Sequence, residues 1–295
     1  MQSVIALGFF DGVHLGHGEL LRRTAELAAE HGWEPAALTF DRSPGKDGRL
    51  LTSVEDRVRL IRDLYGIRTV RVLPFTDEFK HMPWEAFLDL LVRDYGAAWL
   101  VCGWDYRFGY LGQGDATRLR QWCLLHELGC DVIDKFTMDG ITVSSTLLKG
   151  LIESGDTEAA IRWYGHPHVL SGPVQPGRHL GHTLGFPTAN LIPAPEILVP
   201  HRGVYAVRGY FEGGSRPGVC NVGVRPTVGG HRQTVETWLS GFDGDLYGRT
   251  LRLEFYRWLR PEQTFPDLEA LRTQVQKDQA EALAYFSGLG PEPQN

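Results

Sequence analysis

Cysteine is scarce in this chain. The four thiols, Cys102, Cys123, Cys130 and Cys220, show none of the paired spacing of a cysteine metal site. They read instead as buried thiols of a protein in a reducing cytoplasm. An excess of basic charge is also lacking. The net charge of -6 argues against nonspecific nucleic-acid binding, which needs basic patches. No apolar run approaches the roughly 20 residues that span a membrane, and no signal-like segment is expected ahead of the first apolar run. The chain has neither an internal repeat nor a low-complexity tract. What is there is an ordinary globular composition, 42% hydrophobic and 22% charged. Its 295 residues suffice for two domains, each with its own core.

The most informative segment lies near the start. An apolar run at 3–7 reads as a buried strand and leads into Gly8-Phe9-Phe10-Asp11-Gly12-Val13-His14-Leu15-Gly16-His17. A helix is expected directly afterwards, over 19–30, from Leu20, Leu21, Ala25, Leu27 and Ala28 at helical spacing. Free N–H groups and the positive dipole end of such a helix suit a phosphate. Glycines let phosphate oxygens approach the backbone, and two imidazoles can donate hydrogen bonds to those oxygens. A plain strand-to-helix turn rarely carries two histidines three apart. A zinc pair is disfavoured because the spacing is not one helical turn and no third ligand is near.

The first half alternates predicted strands at 3–7, 35–40, 69–74, 99–102 and 130–134 with predicted helices at 19–30, 55–64, 84–94 and 117–128. Thr52-Ser53-Val54-Glu55 offers a capping box before the second of these helices. That alternation predicts a parallel, doubly wound sheet, which collects ligands at the carboxyl ends of its strands. Short helices at 145–153 and 157–164 close this half. The texture then changes to short β runs at 169–174, 204–211, 219–222, 235–239 and 251–258, broken by Gly and Pro, with a turn at Asp243-Gly244-Asp245. That spacing predicts a small antiparallel barrel followed by a helix over 267–285. The domain boundary is expected at 165/166.

A second dense motif runs Gly172-Pro173-Val174-Gln175-Pro176-Gly177, then Gly181, then Leu184-Gly185-Phe186-Pro187-Thr188-Ala189-Asn190. On a strand Thr188 and Asn190 would share a face. Their neutral oxygens suit Mg²⁺ that takes its other ligands from phosphates and water. A proline-containing barrel corner with two outward polar residues fits the spacing equally well.

The chain resembles the bacterial bifunctional riboflavin kinase/FAD synthetase family over nearly its whole length. In the first half the resemblance rests on 8–17, 51–64, Val101-Cys102-Gly103-Trp104-Asp105-Tyr106-Arg107-Phe108-Gly109, and Val143-Ser144-Ser145-Thr146. In the second it rests on 185–190, Gly203-Val204-Tyr205, Asn221-Val222-Gly223-Val224-Arg225-Pro226-Thr227, Val235-Glu236, Asp245-Leu246-Tyr247-Gly248 and Leu259-Arg260-Pro261-Glu262.

The resemblance implies an α/β doubly wound parallel-sheet nucleotidyltransferase domain, residues 1–165. A small antiparallel β-barrel kinase domain with a C-terminal helix, residues 166–295, follows it. It implies two Mg²⁺-dependent reactions with ATP as substrate: riboflavin to FMN on the barrel, and FMN to FAD on the first domain. Glu236 matches the base that takes the riboflavin hydroxyl proton, and Thr188 and Asn190 match the metal ligands. Gly172, Gly177 and Gly185 fit a backbone that covers phosphates, and Arg260 borders the flavin. His14 and His17 match the adenylyl-transfer residues. Gly8, Asp11, Gly12, Gly16, Asp105, Ser145 and Thr146 match nucleotide-binding positions.

The match has gaps. Thr142 stands where the family usually has Arg, Lys149 stands for a later Arg, and Arg42-Ser43-Pro44 replaces the usual Pro-His-Pro or Pro-Asn-Pro. Gly241 stands where Asp is frequent. Two other readings follow: a riboflavin kinase with an impaired or altered-specificity first domain, and a non-catalytic flavin-binding regulator. Intact Glu236 argues against the regulator, and Thr142 supports partial loss of adenylyl transfer.

Overall fold

The computed structural model describes residues 2–43, 45, 48–176, 187–227 and 230–290. Contacts divide the chain into two compact units: Met1–Leu50 with Val54–Ser145, and Leu51–Ser53 with Thr146–Asn295.

In the first unit the five apolar runs form one parallel sheet. Strands β1 (Ser3–Leu7), β2 (Glu34–Phe40), β3 (Thr69–Leu73), β4 (Ala97–Gly103) and β5 (Gly129–Ile133) lie in the order β3-β2-β1-β4-β5. β1 is buried along its whole length, as an apolar central strand must be. Helices α1 (Leu15–His31), α2 (Val54–Tyr65), α4 (Trp84–Tyr95) and α5 (Ala116–Leu125) pack on the sheet. The chain winds from β1 towards β3, then returns to place β4 on the other side of β1. The crevice between the carboxyl ends of β1 and β4 is therefore the switch point of the sheet, where ligands bind in this architecture.

Helix α1 begins at Leu15 rather than near Glu19. His14 supplies the cap: its backbone is extended and its ring nitrogen accepts from the His17 N–H. Histidine is not a standard capping residue, and Gly16 and Gly18 dilute helix propensity, so the first turn carries little sequence signal. A hairpin of β6 (Thr137–Met138) and β7 (Ile141–Thr142) also escapes the periodicity reading. Its turn is Asp139-Gly140, both at positive φ (52° and 75°), the two-residue geometry that Asp-Gly favours. The short α3 (Asp77–Lys80), capped by Thr76, is a further addition.

In the second unit, α6 (Ser145–Ser154) and α7 (Thr157–Tyr164) lead into a closed barrel. Its strands β8 (His168–Gln175), β9 (Ala189–Leu191), β10 (Gly203–Phe211), β11 (Gly214–Thr227), β12 (Gly230–Leu239) and β13 (Thr250–Arg260) are ordered β10-β11-β12-β9-β8-β13. All pairings are antiparallel. β11 and β12 are longer than the apolar runs that announced them, because their distal halves carry polar residues and glycines. Helix α8 (Leu268–Gly288) starts at the Asp267 cap and lays Ala282 and Phe286 against Val204, Ala206 and Val219 on the barrel. Cys102, Cys123 and Cys220 are buried, Cys130 is half-buried, and all four are free thiols. Among the described residues no helix is long and apolar enough to cross a membrane.

Candidate functional site

The turn after β1 is strained. Phe10 and Val13 hold left-handed backbone (φ 55° and 44°) around Gly12 (φ 81°), and both side chains are fully buried. A β-branched residue at positive φ is an outlier that costs on the order of 1–3 kcal/mol, and such strain gathers at functional sites. Here it turns the backbone so that His14 and His17 stack, ring centroids 3.7 Å apart. His14 Nδ1 accepts the His17 N–H at 3.3 Å. In its neutral form His14 therefore carries its proton on Nε2. His17 is half-buried. That burial, followed by the fields of His14 and Arg57, holds its pKa well below the ordinary imidazole value. The His17 Nδ1 has no hydrogen-bond partner.

Both histidines open onto a cavity of about 380 Å³ at the carboxyl ends of β1, β4 and β5. Gly8, Gly16, Asp105 and Ser145 line it with them. Asp11 and Gly12 lie in the turn behind, and the Ser145 hydroxyl donates to the Asp11 carbonyl at 3.1 Å. A side chain at Gly16 would press on the His14 ring at 3.2 Å. Thr146 is the second residue of α6. Thr142 lines the cavity, as do two cations: Arg107, which the sequence marks only as part of a motif, and Lys135, which it does not mark at all. Arg42 is not among the lining residues. Its side chain is mostly exposed beside Asp41 at 3.7 Å.

A second cavity of about 320 Å³ shares Phe40, Tyr106 and Arg107 with the first. Phe75, Phe79, Phe87 and Phe108 give it an aromatic lining. The Tyr106 hydroxyl is buried without a partner, and burial raises its pKa. These aromatics come from β2, the connection between β3 and α3, α3, α4 and the segment after β4, so only the fold unites them.

On the barrel, register does the assembling. Glu236 of β12 lies directly opposite Asn190 of β9 and Asn221 of β11. Val235 and Thr237 beside it are buried and Glu236 is not, so Asn190, Glu236 and Asn221 form one polar row on the face away from the barrel interior. Asn190 is nevertheless buried, and Thr188 sits just before its strand. The Asn221 amide donates to the Glu262 carboxylate at 3.4 Å. Asn221 was noted only as part of a motif, and the strand register is what brings it beside Glu236.

Gly172 has a packing reason of its own, because a Cβ there would stand 2.3 Å from the Ile192 carbonyl oxygen. Gly177 and Gly185 lie outside the described residues. The Arg260 guanidinium is held by α8: Nε and Nη2 both bond the Asp278 carboxylate, at 2.7–3.1 Å, and Nη1 bonds the Pro261 carbonyl.

The FAD synthetase family profile matches residues 1–147, and the riboflavin kinase family profile matches residues 164–286. The bifunctional riboflavin kinase/FMN adenylyltransferase of Bacillus subtilis is 34% identical over 298 residues, covering 98% of this chain and 94% of its own length. The chain belongs to this bifunctional family. The relative from Escherichia coli K12 is 33% identical with the same coverage. That from Pseudomonas fluorescens is 35% identical, covering 95% of this chain and 92% of its own. A crystal structure described as a macrolide-efflux protein from Streptococcus pneumoniae is similar at TM-score 0.82 and 26% identity. It covers 94% of this chain and 92% of that chain. Within the family, the residue departures divide unevenly. Thr142 faces the first cavity, Lys149 lies on α6, and Gly241, at φ 63°, turns the chain after β12.

Proposed function

We propose that this chain phosphorylates riboflavin to FMN on its barrel and adenylylates FMN to FAD on its parallel-sheet domain, using ATP in both reactions. The functional domains are taken as 1–165 and 166–295. The observation that carries the reading is the coexistence, in one chain, of the stacked His14–His17 pair at the sheet switch point and the Asn190–Glu236–Asn221 row on the barrel.

In the first reaction Glu236 takes the proton of the ribityl 5′-hydroxyl as that oxygen bonds to the γ-phosphorus of ATP and the bond to ADP breaks. Thr188 and Asn190 would hold Mg²⁺. Both offer neutral oxygens, as a hard cation shared with phosphates accepts, and the ion supplies charge neutralisation. Gly172, Gly177 and Gly185 belong to the phosphate-covering segment in this reading. Arg260, fixed by Asp278, borders the flavin and keeps α8 against it.

In the second reaction an FMN phosphate oxygen bonds to the α-phosphorus of another ATP and pyrophosphate leaves. The attacking group is already ionised, so alignment and charge neutralisation dominate. His14 donates through Nε2, and His17 stacks behind it. Gly8, Asp11, Gly12, Gly16, Asp105, Ser145 and Thr146 shape the nucleotide position. The aromatic cavity suits the isoalloxazine ring, and its continuity with the first cavity through Phe40 and Tyr106 suits a flavin whose phosphate must reach ATP.

Thr142 favours a slower second reaction. Loss of one charge-assisted phosphate contact costs roughly 1.5–3 kcal/mol, about ten- to a hundredfold in rate. Arg107 and Lys135 offset part of that loss from the same cavity. Supplying the protein with ATP, Mg²⁺ and either riboflavin or FMN, and resolving the products, tests the reading. FMN and FAD are expected. FMN alone leaves a kinase only, and neither product with tight flavin binding leaves a regulator.

A further inference from the structure

Arg57 of α2 is a fully buried arginine in the first unit. Its Nη1 donates to the Thr39 hydroxyl and to the Phe40 carbonyl, both at 2.9 Å. The Thr39 hydroxyl in turn donates to the Phe9 carbonyl at 2.7 Å. The guanidinium carbon sits 4.2 Å from the centroid of the Phe9 ring. Phe9 and Phe40 both line the cavity that His14 and His17 open onto, so the cation lies one side chain behind its wall. Two of its nitrogens, Nε and Nη2, are buried with no hydrogen-bond partner.

Burying a guanidinium costs several kcal/mol unless charge and hydrogen bonds repay it, so orphaned N–H groups on a buried cation need an explanation. Packing does not supply one, because Leu or Met would fill a space beside Phe9 without that cost. Nearby acidic groups answer the charge only in part. Asp11 and Glu55 favour the charged form, yet burial outweighs them and brings the guanidinium pKa down to about 10, so it remains a cation at neutral pH. Its field reaches the cavity side, where it opposes protonation of His17. A cation that the protein leaves under-compensated behind a cavity is matched when a polyanion enters.

We propose that Arg57 is a positioning residue for the nucleotide of adenylyl transfer, holding the Phe9 turn against β2 and presenting its charge through the cavity wall to the ATP phosphates. The proposal rests on the adenylyl-transfer reading of this cavity. The field acts on phosphates in the ground state and the transition state alike, so it belongs in ATP binding more than in the chemical step.

Arg57→Gln keeps an N–H donor for Thr39 and Phe40 and removes the charge, whereas Arg57→Lys keeps the charge. FAD formation from FMN is followed at varied ATP and at varied FMN, with riboflavin phosphorylation by the same preparation as the control. Arg57→Gln should raise the KM for ATP about ten- to thirtyfold, the size of one charge interaction across a few ångströms of protein. The KM for FMN and the kinase rate should stay within about twofold, and Arg57→Lys should restore most of the ATP dependence. An unchanged KM for ATP in Arg57→Gln, or an Arg57→Lys no better than Arg57→Gln, overturns the proposal. A spectroscopic arm needs no variant to fold. In the unmodified protein the Arg57 Nε–H resonance should move on addition of Mg·ATP and stay put on addition of FMN, and a resonance indifferent to Mg·ATP also overturns the proposal. Absence of FAD from the unmodified protein would sink the functional reading instead, and the resonance arm would still decide whether Arg57 senses bound ATP.

Discussion

At the scale of the residue, chemistry concentrates where side-chain type and environment disagree. Glu236 is an acid on a β-strand between two amides, and His17 is a half-buried imidazole whose shielded Nδ1 has no hydrogen-bond partner. Replacing Glu236 by Gln preserves size and hydrogen bonding while removing the base. Riboflavin phosphorylation should fall by about a hundredfold or more, with FMN adenylylation unchanged. Steady-state rates of both reactions on one preparation check this, and near-normal phosphorylation removes Glu236 from the role of base. The sequence made Glu236 and the histidine pair legible through residue type and family resemblance. Arg57, Arg107, Lys135 and Asn221 were not. Nothing in a single sequence separates a buried arginine on an amphipathic helix from the solvated arginines beside it, such as Arg59 and Arg62. Burial and register are properties of the fold.

At the scale of the element, the strands and helices followed from apolar period, and the irregular pieces did not. α1 starts early because histidine caps it, and β6–β7 form around Asp139-Gly140, a turn signal that was present in the sequence but lay outside any long periodic run. Register decides more than extent. β9 has only three residues, yet it sets Asn190 against Glu236.

The packing of β8 makes a second test. His168 is fully buried, its ring nitrogens facing the Tyr164 hydroxyl and the Leu198 carbonyl, each at 3.3 Å. Burial brings its pKa down from 6.5 to about 4, with His166 adding to the effect and the Leu198 carbonyl opposing it. The unfolded chain therefore takes up the proton first as pH falls. Stability is complete above about pH 6.5 and is lost progressively towards pH 4, by up to about 3 kcal/mol. Urea unfolding of the second unit at about pH 8 and about pH 5 should show a lower midpoint at acid pH. His168→Gln should flatten that difference. Equal slopes with and without His168 would assign the acid sensitivity elsewhere.

At the scale of the whole molecule, two units of unrelated architecture would each hold one of the two proposed sites. The two activities should therefore be separable. A variant lacking the His14 ring, His14→Ala, should lose FAD formation by about a hundredfold and leave FMN formation within twofold, the mirror image of Glu236→Gln. Rates of the two half-reactions for both variants check the pattern, and joint loss in either would contradict independent sites. The two-unit architecture was legible from the change of texture in the sequence. The compact units, however, part at Ser145, because α6 and α7 group with the barrel, and a short amphipathic helix does not say which neighbour it will cover.

The central claim is that one chain performs both transfers, each on a different phosphorus of ATP. The direct measurement is a single incubation of the protein with riboflavin and Mg·ATP, run once with the γ-phosphate labelled and once with the α-phosphate labelled, followed by separation of the flavins. γ-Label should appear in FMN and persist into FAD, and α-label should appear in FAD alone. γ-Labelled FMN with no α-label in any flavin would contradict it.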